Sequence, residues 1–203
     1  VQEKEVAMSV QSKVIVVYHS GYGHTQVLAE AVLQGALDVG ADAELMSVAT
    51  LDDVNWDKLA AADALIFGSP TYMGSASAPF KAFMDASSKV WMERGWVDKV
   101  AGAFTVSASR SGDKLGTLTQ LSVFAAQHGM IWVGLDLMPG NNSSKGSEED
   151  LNRLGSTLGV MAQANADEGP EVVPPTADKN TAKALGGRIA KVAASLTLVS
   201  EAA

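Results

Sequence analysis

Cysteine is absent from the 203 residues. Its absence excludes disulfides, zinc ribbons, iron–sulfur clusters and thiol catalysis together. It agrees with a reducing compartment, so a cytoplasmic location is the expectation. Long apolar runs are also missing: none approaches the ~20 residues of a membrane span. The start, Val1 to Ser12, carries Glu3, Lys4 and Glu5 and has no apolar stretch of signal-peptide type. Residues 1–12 read as an N-terminal extension outside a single domain over 13–199. Basic residues are scarce, with 15 Lys and Arg against 23 Asp and Glu, giving a net charge of −8. A nucleic-acid-binding face needs clustered Lys and Arg, so no nucleic-acid partner is expected. Glu148, Glu149 and Asp150 are consecutive and do not converge on one helical face, and no other carboxylates show metal-ligand spacing. No metal site is expected.

Apolar residues make up 47% of the chain, enough for a sizeable core. Lys13 to His19 (KVIVVYH) is a continuous, β-branched run of the kind buried on both faces of a parallel sheet. A helical pattern follows from His24 to Val39, with Val27, Leu28, Ala31, Val32, Gly35 and Ala36 on one stripe. The cycle repeats: a weaker strand at Ala43 to Val48, a short helix at Asp53 to Ala61, and a third strand at Ala64 to Ser69 that ends at Pro70. A helix spans Pro79 to Trp91, then a fourth strand Val100 to Val106, a helix Lys114 to Gln127 and a fifth strand Met130 to Leu135. The stretch 136–175, rich in Gly, Asn, Ser and Pro, reads as a long loop before a last helix at 177–199. Alternating strands and helices predict an α/β, flavodoxin-like three-layer sandwich. Its five-stranded parallel sheet has the order 2-1-3-4-5, with helices on both faces. Its ligand crevice lies at the carboxyl ends of the first and third strands.

Three loops flank that crevice. Ser20-Gly21-Tyr22-Gly23-His24-Thr25 joins a buried strand to a helix, which aims unpaired backbone N–H groups and the positive helix end at one point. An anion such as a phosphate suits that point, and with no Lys or Arg present it would rest on neutral donors. A P-loop needs Gly-Lys-Ser/Thr where this chain has Gly-His-Thr. A dinucleotide fingerprint needs a third glycine where Gln26 stands. A response regulator needs acids at strand ends occupied here by Tyr18-His19 and Gly68-Ser69-Pro70. An ordinary strand-to-helix turn is the plain alternative. After the third strand, Pro70, Thr71, Tyr72, Met73 and Gly74 offer amides and an aromatic. After the fourth, Val106, Ser107, Ala108, Ser109, Arg110, Ser111 and Gly112 offer a close backbone with one cation. A phosphate seat, a flat apolar slot and amides for a ring edge describe a flavin mononucleotide (FMN) site.

Val14 to Ala31 (VIVVYHSGYGHTQVLAEA), Ala64 to Asp85 (ALIFGSPTYMGSASAPFKAFMD), Trp91 and Gln127-His128-Gly129-Met130 resemble the WrbA-type NAD(P)H:quinone oxidoreductases of the flavodoxin-like superfamily. The resemblance implies FMN held by Ser20 to Thr25, Thr71 to Gly74 and Val106 to Gly112. It implies NADH or NADPH as donor and a quinone as acceptor, with the substrate region near Tyr22 and Trp91. It also implies a homo-oligomer, dimer or tetramer, with the Gln127-His128 corner near a neighbouring subunit's flavin. The chain departs from the family in its short segment Ala49 to Ala62, in Gln127 where a histidine is common, and in Met73 and Arg110.

The expected chemistry is ping-pong: nicotinamide reduces the flavin, leaves, and a quinone takes the same slot. Arg110 is the candidate cation for the reduced flavin, with a solvated loop arginine as its plain reading. His128 is the candidate proton donor, with a helix C-terminal position as its plain reading. Tyr22, at a loop tip, reads as a binding residue, while Trp56, Trp96 and Trp132 read as packing. The alternative function is an FMN electron carrier without catalysis of its own, with which the acidic charge is compatible.

Overall fold

The computed structural model describes residues 11–201, so the expected N-terminal extension lies, up to Val10, outside the described residues. β1 (Lys13–Tyr18) is dry on both faces. Val14 and Val16 enter one core layer, while Ile15 and Val17 enter the other, as the two-residue period of a strand requires. β3 (Ala64–Tyr72) divides the same way, Ala64 and Ile66 against Leu65 and Phe67. β5 (Val100–Ser107) sends Val100 and Phe104 one way and Ala101 and Ala103 the other. β2 (Asp42–Ser47) closes one edge on β1, and β6 (Ile131–Trp132) lies beyond β5. The order is β2-β1-β3-β5-β6, with these pairs parallel. This is the expected doubly wound order.

Two strands differ from expectation. Pro70 does not end β3. Pairing with β1 stops at Gly68, so beyond it β3 has an open edge where a missing N–H costs nothing. The strand runs on to Tyr72 and returns as β4 (Ser75–Ala76) through Met73 and Gly74, both at positive φ (49 and 81). The expected fifth strand is reduced to the two residues of β6. Its place beside β5 is completed by β7 (Val160–Gln163), which pairs with Phe104 to Ser107. The segment expected as a loop thus carries half of an edge strand.

The helices are α1 (His24–Asp38), α2 (Trp56–Ala61), α3 (Ala78–Ala86), α4 (Ser88–Met92), α5 (Lys114–Gln127) and α6 (Thr176–Glu201). The short helix expected from Asp53 is a 3-10 turn at Leu51–Asp53 followed by α2, because Asn55 accepts the Lys58 N–H at 3.0 Å and sets a new helix start. The single helix expected over Pro79 to Trp91 breaks at Ser87, whose hydroxyl donates to the Met84 carbonyl. Among the described residues no helix is long and apolar enough to cross a membrane.

The two faces of the sheet are covered by different means. Phe67, Phe80, Phe83, Trp96 and Phe124 fill one layer, with Phe67 and Phe124 ring centres 5.4 Å apart. The other is closed by α1 and α6 meeting backbone to backbone. A Cβ on Gly35 would lie 1.8 Å from the Lys183 carbonyl oxygen, and one on Gly186 would lie 1.9 Å from that of Val32. The insertion between β6 and β7 is tied down by Arg153, whose Nε and Nη2 donate to Asp178 at 2.7 and 2.9 Å. Asp178, in the first turn of α6, also accepts the Gln163 N–H of β7.

Gly35→Val is expected to force the two helices apart and to cost about 3 kcal/mol by overpacking. A urea midpoint within error of wild type would contradict this account of the helix contact.

Candidate functional site

The carboxyl ends of β1, β3, β5 and β7 open on a cavity of about 680 Å³, within the range of small-molecule sites. Its first wall is the start of α1. Gly23 takes φ 89, and a Cβ there would meet the Pro170 ring at 2.8 Å. Ser20 Oγ accepts the N–H groups of Gly23 and Gln26, at 3.1 and 3.2 Å. The amides of His24 and Thr25 find no acceptor among the described residues. With the positive helix end they form an anion seat. Thr25 lines the cavity beside them, 1% exposed, and its hydroxyl has no partner among the described residues. The His24 ring is engaged elsewhere: Nε2 donates to the Glu168 carbonyl at 2.9 Å.

The second wall is the β3–β4 hairpin, through Pro70, Thr71 and Tyr72. The Thr71 hydroxyl is bonded to Thr105 and Thr117, both at 2.7 Å, so it faces the protein and not the cavity. The Tyr72 ring covers Gly21, where a Cβ would lie 2.6 Å from its Oη. Tyr22 meets Tyr72 edge to face at 6.3 Å and is 75% exposed at the cavity mouth. Burial, and then Tyr22, push the Tyr72 phenol above its usual range. Met73 and Gly74 form the exposed hairpin tip, outside the lining.

The third wall is Val106, Ser107 and Ala108. Past Ala108 the loop turns away. The carbonyls of Ser109 and Arg110 accept from Lys114 Nζ, each at 2.8 Å, and Ser111 accepts the Lys114 N–H as Gly112 leads into α5. Arg110 Nη1 donates to Glu148 at 2.7 Å, which turns its guanidinium toward the insertion and away from the cavity. The fourth wall, Ala164, Ala166, Asp167, Glu168 and Gly169, follows β7 and was missed by sequence reasoning. Its only signal is the acid pair ahead of Gly169-Pro170, and no strand had been recognised before it. Among the described residues the ionisable lining is therefore His24, Asp167, Glu168 and the two tyrosines, with no Lys or Arg.

Trp91, Gln127 and His128 lie at the other end of the sheet. Gly129 accepts the Asp98 N–H just ahead of the first residue of β5. Trp91 is half exposed on α4 and Gln127 is exposed. His128 is 3% exposed, with Nε2 bonded to Ser87 Oγ at 2.9 Å and its ring centre 4.4 Å from that of Trp96. Burial, reinforced by Arg94, lowers its pKa to about 4. It is a neutral core residue at pH 7.

A model of the NADPH-dependent FMN reductase family matches residues 13–142, and the chain belongs to that family. It is 42% identical to "Flavodoxin FldP" of Pseudomonas aeruginosa, covering 89% of this chain and 96% of the relative. It is 31% identical to an "NAD(P)H dehydrogenase (quinone)" of Trichlorobacter lovleyi, covering 92% and 99%. The crystal structure of a flavodoxin, WrbA-like protein from Agrobacterium tumefaciens aligns with a TM-score of 0.69 at 42% identity, covering 91% of this chain and 99% of that one. The resemblance to WrbA-type, flavodoxin-like proteins is borne out by these relatives.

His128 carries a pH dependence. The unfolded chain protonates this residue near pH 6.5, whereas the native state resists protonation until about 4. Stability is expected to fall as the pH drops through that window, by up to ~3 kcal/mol at pH 4. Urea unfolding at pH 7 and pH 5 checks it: the drop should be smaller in His128→Gln than in wild type.

Proposed function

We propose that the protein is an FMN-dependent NAD(P)H:quinone oxidoreductase. The observation that carries this reading is the pair of open amides at His24 and Thr25, set beside a slot walled by small residues. The seat takes a phosphate on neutral donors, with Thr25 Oγ1 adding a hydroxyl. Val106, Ala108 and Ala164 leave room for a flat ring. The residues present fit FMN. When bound, FMN supplies acceptance of a hydride from NADH or NADPH and delivery of the electron pair to a quinone.

The chain's own residues bind and orient. Gly21 and Gly23 let the loop approach closely. Tyr22 and Tyr72 flank the mouth, and Ser107 and Ala108 would border the ring edge. Pro70, Thr71 and Tyr72 form the hairpin side of the slot. One slot serves donor and acceptor, so the kinetics are ping-pong. Arg110 and His128 are given no catalytic part, the first because Glu148 holds it and the second because it is buried far from the cavity. Any part played by Trp91 and Gln127 would require a second copy of the chain.

The alternative, an electron carrier without catalysis of its own, is compatible with the −8 charge. Anaerobic titration of FMN-loaded protein with NADH and then benzoquinone separates the two. Bleaching at one equivalent, recovery on adding quinone and parallel initial-rate lines are expected. A flavin that NADH and NADPH leave yellow selects the carrier.

A further inference from the structure

Lys114 opens α5 and is 0% exposed. A lysine head normally reaches water. Here all three ammonium protons are taken by one loop: Ser107 Oγ, the Ser109 carbonyl and the Arg110 carbonyl, each at 2.8 Å. Ser107 lines the cavity. Among the described residues, Lys114 is the only Lys or Arg hydrogen-bonded to a lining residue.

Asp178 and Arg153 face it with opposite charge, Asp178 the more strongly. Arg153 from the insertion pairs with Asp178 of α6, and Glu148 takes Arg110 on one oxygen and Arg153 on the other. Two guanidinium groups thus meet two carboxylates, and among the described residues the Lys114 ammonium has no ion pair of its own. A buried charge without an ion pair acts over longer range than a surface one, because little water screens it. Any negative charge that develops inside the cavity lies one hydrogen-bonded residue away from it.

We propose that Lys114 is a positioning residue that holds the loop Ser107 to Arg110 against the cavity and makes the site bind reduced, anionic FMN in preference to oxidised FMN. This rests on the FMN reading above. The phosphate is common to both forms of FMN, so its contribution drops out of the ratio of their affinities. Only charge gained on the ring on reduction responds to the ammonium. The role left open by the distant Arg110 guanidinium falls to this lysine.

The test compares dissociation constants for oxidised FMN and for dithionite-reduced FMN under anaerobic conditions, in wild type, Lys114→Gln and Lys114→Arg. Lys114→Gln is expected to lose at least tenfold of the preference for reduced FMN, equal to a fall of about 30 mV in the two-electron midpoint. Lys114→Arg should keep it. Equal weakening of both forms in Lys114→Gln would mean loop packing alone and would overturn the proposal. Wild type gives a second measurement that does not depend on the variants folding. Burial holds the lysine pKa down at about 8, with Asp178 and Arg153 facing it in opposite senses. The preference should decline as the pH rises from 8 to 10, and a flat ratio would count against it. Failure of either form of FMN to bind wild type removes the FMN reading itself, an outcome distinct from binding without preference.

Discussion

The central strands of this protein have no wet face. Val14 to Val17, Ala64 to Phe67 and Val100 to Phe104 are buried on both sides, so hydrophobic burial demands helices above and below the sheet. Parallel strands need crossovers, which bring β1, β2, β3, β5, β6 and β7 back in the same direction. The carboxyl ends of β1, β3, β5 and β7 therefore meet at one edge with the start of α1. There the backbone must stop pairing with itself, and a cavity lined by loop amides is the result. The candidate site follows from the way the core is closed.

Much of this was legible in the residues. VIVV and ALIF announce dry strands, and the boundaries of α5 matched their apolar spacing. What escaped had physical causes. β7 is four residues long, and its side chains alternate between buried and half-buried; so short a run gives no period to read. With β7 unseen, the wall from Ala164 to Gly169 could not be placed. Pro70 reads as a strand end because its local effect is usually decisive, and only the early end of β1 exempts it. Arg110 could not be taken out of the cavity from sequence, because its partner Glu148 lies in an insertion whose path depends on the split edge strand. Lys114 resembles an ordinary helix entry until Ser107 and its loop are folded over it.

The cavity and its surroundings divide electrostatic labour. The wall carries hydroxyls, amides and two carboxylates, while the fixed positive charge stands behind it under Ser107. Such an arrangement favours a dianionic phosphate through directed N–H groups and not through net attraction. The same separation leaves the lining small and mostly apolar, as a flat aromatic ring requires.

The close seam between α1 and α6 has a consequence for biosynthesis. Leu28, Val32 and Ala36 on α1 are covered by a helix translated after every strand of the sheet. While the ribosome is still adding the insertion and β7, that greasy flank of the nascent polypeptide has no lid. The nascent chain thus reaches its last helix with one side unprotected, the interval in which a chaperone has most to grip.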